Sequence, residues 1–147
     1  MKKTLLFLFC AMLLCLQAQG QVMNTALHIA DYAIRVDIKT AQKVMKQEGF
    51  RKITRRGEFI YYSSKKQKVD AMLIVAGNNV EYMKFLFPTT PSPREVEGSA
   101  RQCGYRFIGG QGPDRKFRKG PLVLYTSPVR NDPHYTYGFV IKYEPEY

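Results

Sequence analysis

Ten basic side chains form two groups able to recognise an anion. Arg51, Lys52, Arg55, Arg56, Lys65 and Lys66 stand in the first half of the chain, and Arg115, Lys116, Arg118 and Lys119 in the second. With 23 Lys and Arg against 12 Asp and Glu, the chain has a positive field of the kind that draws anionic partners. Two readings compete for these residues. They form a contact surface, or they keep hairpin tips wet and guard sheet edges against pairing with other chains.

Other chemistry is thinly provided. The histidines are His28 and His134 only, too few for a histidine-rich metal site. No nucleophile sits in a Gly-x-Ser-x-Gly turn. Gly109-Gly110-Gln111-Gly112 is glycine-rich but lacks the Gly-Lys-Ser/Thr ending of a phosphate cradle, so it reads as a flexible loop. Glu95 and Glu97 fall on different helix faces, and Asp70 and Glu81 read as strand residues. The expectation is a protein that is not an enzyme, with no metal and no cofactor.

Residues 1–20 read as a secretory signal. Lys2 and Lys3 precede an apolar run over residues 5–16, and Ala18 and Gly20 mark a cleavage site before Gln21. The run is too short to span a bilayer comfortably. Cys10 and Cys15 follow Phe9 and Leu14, bulky residues where lipidation wants a small one. Loss of Lys2 and Lys3 leaves 21 Lys and Arg against 12 Asp and Glu, a net charge of +9 on about 127 residues. Residues 21–147 are enough for a single domain with a real core. Only Cys103 remains in it, so packing and not an internal disulfide holds the fold. Its place beside Val96 and Ala100 reads as buried packing, not as a reactive thiol. No second apolar run is long enough to cross a membrane. The product is expected in the periplasm or outside the cell. Nucleic acid is a poor partner there; an anionic envelope component or another exported protein is a better one.

The elements that would hold the basic groups repeat. Lys46-Gln47-Glu48-Gly49-Phe50-Arg51-Lys52-Ile53 returns 55 positions later as Arg101-Gln102-Cys103-Gly104-Tyr105-Arg106-Phe107-Ile108. Two units are expected, over 37–87 and 92–143, each a helix followed by antiparallel strands. Residues 25–36 mix β-branched, aromatic and small types and read as one or two short strands. Asp37 caps a helix over 38–48, with Ile38, Ala41, Val44 and Met45 on one apolar stripe. Gly49 closes it in the left-handed conformation. Strands follow over 50–55, 58–64, 69–76 and 80–87, with Val80, Tyr82, Lys84 and Leu86 on one face of the last and Met83, Phe85 and Phe87 on the other. Ser92, proline at 93 and Glu95 start a second helix with a capping box, and Gly104 stops it. After a strand over 105–108, residues 109–120 read as a long loop without counterpart in the first unit. Strands resume over 122–126, matched to 59–62, and over 134–143. In the last, Tyr135, Tyr137, Phe139, Ile141 and Tyr143 share the side that faces the core.

The export signal, the 37–49 helix followed by Phe50-Arg51-Lys52-Ile53, and the second unit from Ser92 together resemble the small secreted bacterial α/β domains built from tandem helix-plus-strand units. The beta-lactamase inhibitor protein is the best-known example. The resemblance implies an α+β fold with the helices packed on one face of an antiparallel sheet. It carries no lactamase-binding residues to this chain. The resulting expectation is an exported, non-enzymatic binding or inhibitor-like module whose basic loops contact an anionic envelope partner. The alternatives are a small cell-envelope hydrolase or sugar-modifying enzyme, and an accessory subunit of a larger assembly.

Overall fold

A computed structural model describes residues 20–146. The expected signal segment up to residue 19, with Cys10 and Cys15, lies outside the described residues. Among the described residues the chain is α+β, with three helices and one eight-stranded antiparallel sheet. Helix α1 covers residues 20–33 and α2 runs Ile38–Gln47. Four strands follow as a meander: β1 Arg51–Arg56, β2 Phe59–Ser64, β3 Val69–Ala76 and β4 Asn79–Phe87. Helix α3, Pro93–Gln102, leads into β5 Arg106–Gln111, β6 Asp114–Lys119, β7 Leu122–Pro128 and β8 Tyr137–Tyr143. The strand order is β1-β2-β3-β4-β8-β7-β6-β5, so β4 and β8 meet at the centre and β1 and β5 are the two edges.

Both capping predictions hold. Asp37 accepts from the Thr40 amide at 2.8 Å, and its hydrogen bonds from Thr40 hold its carboxyl below the usual range. Ser92 and Glu95 form a reciprocal capping box at the start of α3. At the far ends, Phe50 N–H donates to the Met45 carbonyl and Tyr105 N–H to the Ala100 carbonyl, both at 2.9 Å. These close a Schellman turn, which needs a left-handed residue; Gly49 has φ +84° and Gly104 φ +88°.

The core takes alternate residues from the strands. Ile60 and Tyr62 of β2, Ala71, Leu73 and Val75 of β3, Met83, Phe85 and Phe87 of β4, and Tyr137, Phe139 and Ile141 of β8 join Leu27, Ala30, Met45, Val96 and Ala100 of the helices in one buried cluster. Tyr137, Phe139 and Ile141 therefore face the core as expected, with Tyr143 partly buried against it and Tyr135 outside the strand.

Five expectations are corrected. Residues 25–36 are not strands: α1 runs to residue 33, because Met23, Ala26, Leu27, Ala30 and Ala33 form one buried stripe at helical spacing. Residues 109–120 are not a long loop but the β5–β6 hairpin, turning at Gly112 and Pro113. Consequently β7, pairing with β6 and β8, stands in the order where β3 stands between β2 and β4; residues 122–126 do not match 59–62. Val80 faces inward, 1 % exposed, because the β3–β4 register shifts between Ile74 and Val75. The last strand begins at Tyr137, since the Asp132 carboxylate accepts from the His134 and Tyr135 amides and holds them in a turn.

Candidate anion-binding surface

Pairing register divides the ten predicted basic residues between surfaces. In β1, Lys52 and Arg55 stand opposite Tyr62 and Ile60, whose side chains enter the core, so they rim the core side. Arg51 and Arg56 stand opposite Ser63 and Phe59 on the other face. In β6, Phe117 enters the core, placing Arg115 and Lys119 on that side and Lys116 and Arg118 on the other. Lys65 and Lys66 lie in the β2–β3 turn.

The two groups also differ in what they touch. Arg115 meets Glu97 at 3.4 Å, and Lys119 meets Asp31 at 2.8 Å. Arg118 meets Glu146 at 3.2 Å and donates to the Glu144 carbonyl at 2.6 Å. Lys116 lies 5.2 Å from the Tyr125 ring, a cation–π contact. Three of these four cations thus have a carboxylate.

The first group has none among the described residues. Arg55 donates to the Gly57 carbonyl at 3.1 Å, and no ion pair reaches Arg51, Lys52, Arg56, Lys65 or Lys66. Arg51, Lys65 and Lys66 line a groove of about 270 Å³ with Gly49, Ile53 and Ser63. A second groove, about 530 Å³, shares Gly49 and Arg51 and adds Gln42, Lys46, Phe50, Lys52 and Tyr62. Neither lining contains a carboxylate. The Tyr62 hydroxyl is buried without a hydrogen bond of ordinary geometry, and burial raises its pKa.

Lys46 was missed as a site residue by sequence reasoning. It sits in the last turn of α2, where cations complement the helix dipole, and the glycine turn folds β1 back beside it. That juxtaposition was legible in Gly49. Cys103 is 5 % exposed, and burial with nearby Asp31 raises its thiol pKa, consistent with packing. His28 and His134 are both exposed. No group of three or more His, Cys, Asp or Glu able to hold a metal occurs among the described residues. No helix there is long and apolar enough to cross a membrane. No family model, curated protein or solved structure matches the chain.

Proposed function

We propose that this is an exported, non-enzymatic binding module whose contact surface is the basic end built by α2, β1 and the β2–β3 turn, and whose partner is an anionic component of the cell envelope. The observation that carries this is the set of cations at that end, Lys46, Arg51, Lys52, Lys65 and Lys66, with no carboxylate in ion-pair reach among the described residues. Cations this close repel one another, and an anion spanning the two grooves relieves that repulsion while gaining several charge-assisted hydrogen bonds. The scaffold in this reading is two copies of a helix-plus-four-strand unit joined at β4 and β8, with the helices on one face of the sheet. Support comes from elements 55 positions apart. They include the turns at Gly49 and Gly104, β1 and β5, β2 and β6, and the register shifts after Lys52 and Phe107.

The test is attachment of the protein to vesicles containing phosphatidylglycerol and to a sulfated polysaccharide. Wild-type binding should weaken as salt rises, since screening shortens the field to about 8 Å at 0.15 M. Reversal of Arg51, Lys65 and Lys66 to Glu should weaken it by about tenfold or more, at roughly 0.5 kcal/mol or more per exposed charge. The same reversal at Arg115 and Lys116 should matter less, because Arg115 is already held by Glu97. Binding indifferent to salt and to all five reversals would sink the proposal.

A further inference from the structure

The face of the sheet turned away from the core has an apolar groove that the basic end does not explain. One cross-strand row on that face runs Thr54, Tyr61, Met72, Lys84, Val140, Tyr125, Lys116. A neighbouring row holds Ile74 and Val123, 3 % and 0 % exposed, which are buried yet belong to no part of the core cluster. Lys142 lies between their strands, 5.1 Å from the Tyr82 ring and 5.9 Å from that of Tyr125. This face therefore has a packed layer of its own and is not simply solvated.

Over β1–β4 it opens into a groove of about 530 Å³ lined by Ile53, Arg56, Tyr61, Met72, Lys84 and Leu86, with Asp70 at its wall. The size suits a small ligand. Ile53 is 55 % exposed. It sits at the β1 register shift, where the bulged edge strand leaves its side chain uncovered. Burial first, and then the neighbouring Asp70 carboxylate, raise the Tyr135 phenol pKa, so Asp70 lies beside Tyr135 at that wall. Arg56 and Lys84 have no carboxylate in ion-pair reach among the described residues.

The corresponding ground over β5–β8 is covered by the chain itself. Tyr125 stands across from Lys116 as Met72 stands across from Tyr61. The Tyr125 hydroxyl donates to the Glu144 carboxylate at 2.7 Å, and Arg118 holds the Glu144 carbonyl and the Glu146 carboxylate. On β1–β4 the matching positions are Met72 and Ser63, which cannot grip a peptide in that way. Ile53, Met72 and Leu86 beside Tyr61, with two cations that outnumber the one carboxylate in the lining, favour a different occupant. We infer that this groove binds an elongated alkyl amphiphile with one anionic head, its tail on Ile53, Met72 and Leu86 and its head drawn by Arg56 and Lys84. Apolar contact supplies affinity roughly in proportion to buried chain length, and the cations select the head.

The experiment is calorimetric titration of the protein with dodecanoate, dodecanol and octanoate, with amide NMR to locate the contact. Dodecanoate should bind saturably, at least about tenfold more tightly than either of the others, as loss of four methylenes or of the charge predicts. The perturbed amides should lie in β1–β4. Met72→Glu should abolish binding. Arg56→Gln with Lys84→Gln should remove the preference for carboxylate over alcohol while leaving the alcohol within about twofold, a readout that stands even if Met72→Glu does not fold. Lys65→Glu with Lys66→Glu should leave dodecanoate within about twofold, which separates this groove from the basic end whatever the fate of the proposed function. Equal binding of alcohol and carboxylate, no saturable binding, perturbed amides outside β1–β4, or tighter binding of an acidic peptide of the Glu-Pro-Glu type would each overturn the inference.

Discussion

The β1–β2 end and the β5–β6 end are alike in element order and strand register and differ in charge. Each follows a helix that closes on a left-handed glycine, begins with an edge strand whose register shifts after its second residue, and turns at Gly57 or Gly112, with φ +58° and +56°. At the β5–β6 end, Glu97 engages Arg101 at 3.6 Å and Arg115 at 3.4 Å, and Glu146 engages Arg106 and Arg118. At the β1–β2 end, the position 55 residues before Glu97 is Gln42, and Lys46 occupies the place of Arg101 without a partner among the described residues. The difference teaches that the fold does not require the basic residues to be bare. One end is neutralised by acids from α1, α3 and the 144–146 segment, and the other is left open on the same scaffold.

The largest effect expected from breaking this backbone likeness is at Gly110. Its φ is +102°, and an added Cβ would collide with the Asp114 carbonyl oxygen and lie 2.8 Å from the Arg115 Cα, both main-chain atoms across the hairpin. Gly110→Ala should cost about 3 kcal/mol or more, since backbone strain and overpacking coincide. Position 55, its counterpart, has an arginine with ordinary φ. Arg55→Ala should stay within about 0.5 kcal/mol. Urea unfolding of the two variants checks both, and equal small losses would show that the hairpins do not depend on that contact.

Gly110 also marks where sequence reading stopped. Three glycines and a proline over 109–113 have low strand propensity, so the stretch looked like a loop. Cross-strand pairing with β6 overrides that preference, and the glycines are what let the two backbones approach. In α1, Ile29, Tyr32 and Thr25 suggested strand and hid the small-residue stripe of Ala26, Ala30 and Ala33. Where a local signal was self-sufficient it was legible: Asp37, the Ser92–Glu95 box, Gly49, Gly104, and all of β3. Of the site, the cations were visible, but their pairing was not. Asp31, Glu97 and Glu146 reach Lys119, Arg115 and Arg118 only after the chain folds back, from 88, 18 and 28 positions away.

A smaller effect separates Tyr125 from its counterpart Met72. Burial first, and then its bond to Glu144, push the Tyr125 phenol from 10.0 up to about 12. A pKa raised in the folded state means that the folded protein keeps its proton where the unfolded chain has lost it. The associated stability is therefore fully present below about pH 10 and is lost as pH rises through 12. Absorbance of phenolate during alkaline titration should show a late-titrating tyrosine that disappears in Tyr125→Phe, and that variant should lose stability less steeply between pH 10 and 12. Met72→Leu, across the sheet, should leave the alkaline profile unchanged. An identical profile for Tyr125→Phe would move the effect to Tyr62, Tyr105, Tyr135 and Tyr137, whose pKa values burial also raises.

The smallest effect tests the charge difference directly. Gln42→Glu places a carboxylate one helical turn before Lys46, in the favourable orientation, and should stabilise by about 0.3–0.5 kcal/mol at low salt. Glu97→Gln should destabilise by about 0.5–1 kcal/mol: Arg101 is well exposed and loses little, but the Arg115 side chain is 20 % exposed and loses its partner. Both changes should shrink with added salt. Their combination is the sharper measurement. It moves one negative charge from one end to the other and leaves the net charge of the chain as it was, so a partner responding to overall charge would bind the double variant like wild type. A partner seated on the β1–β2 end would bind it more weakly, because the carboxylate introduced at position 42 would stand in the groove with Lys46 and Arg51 and compete with the anion for them.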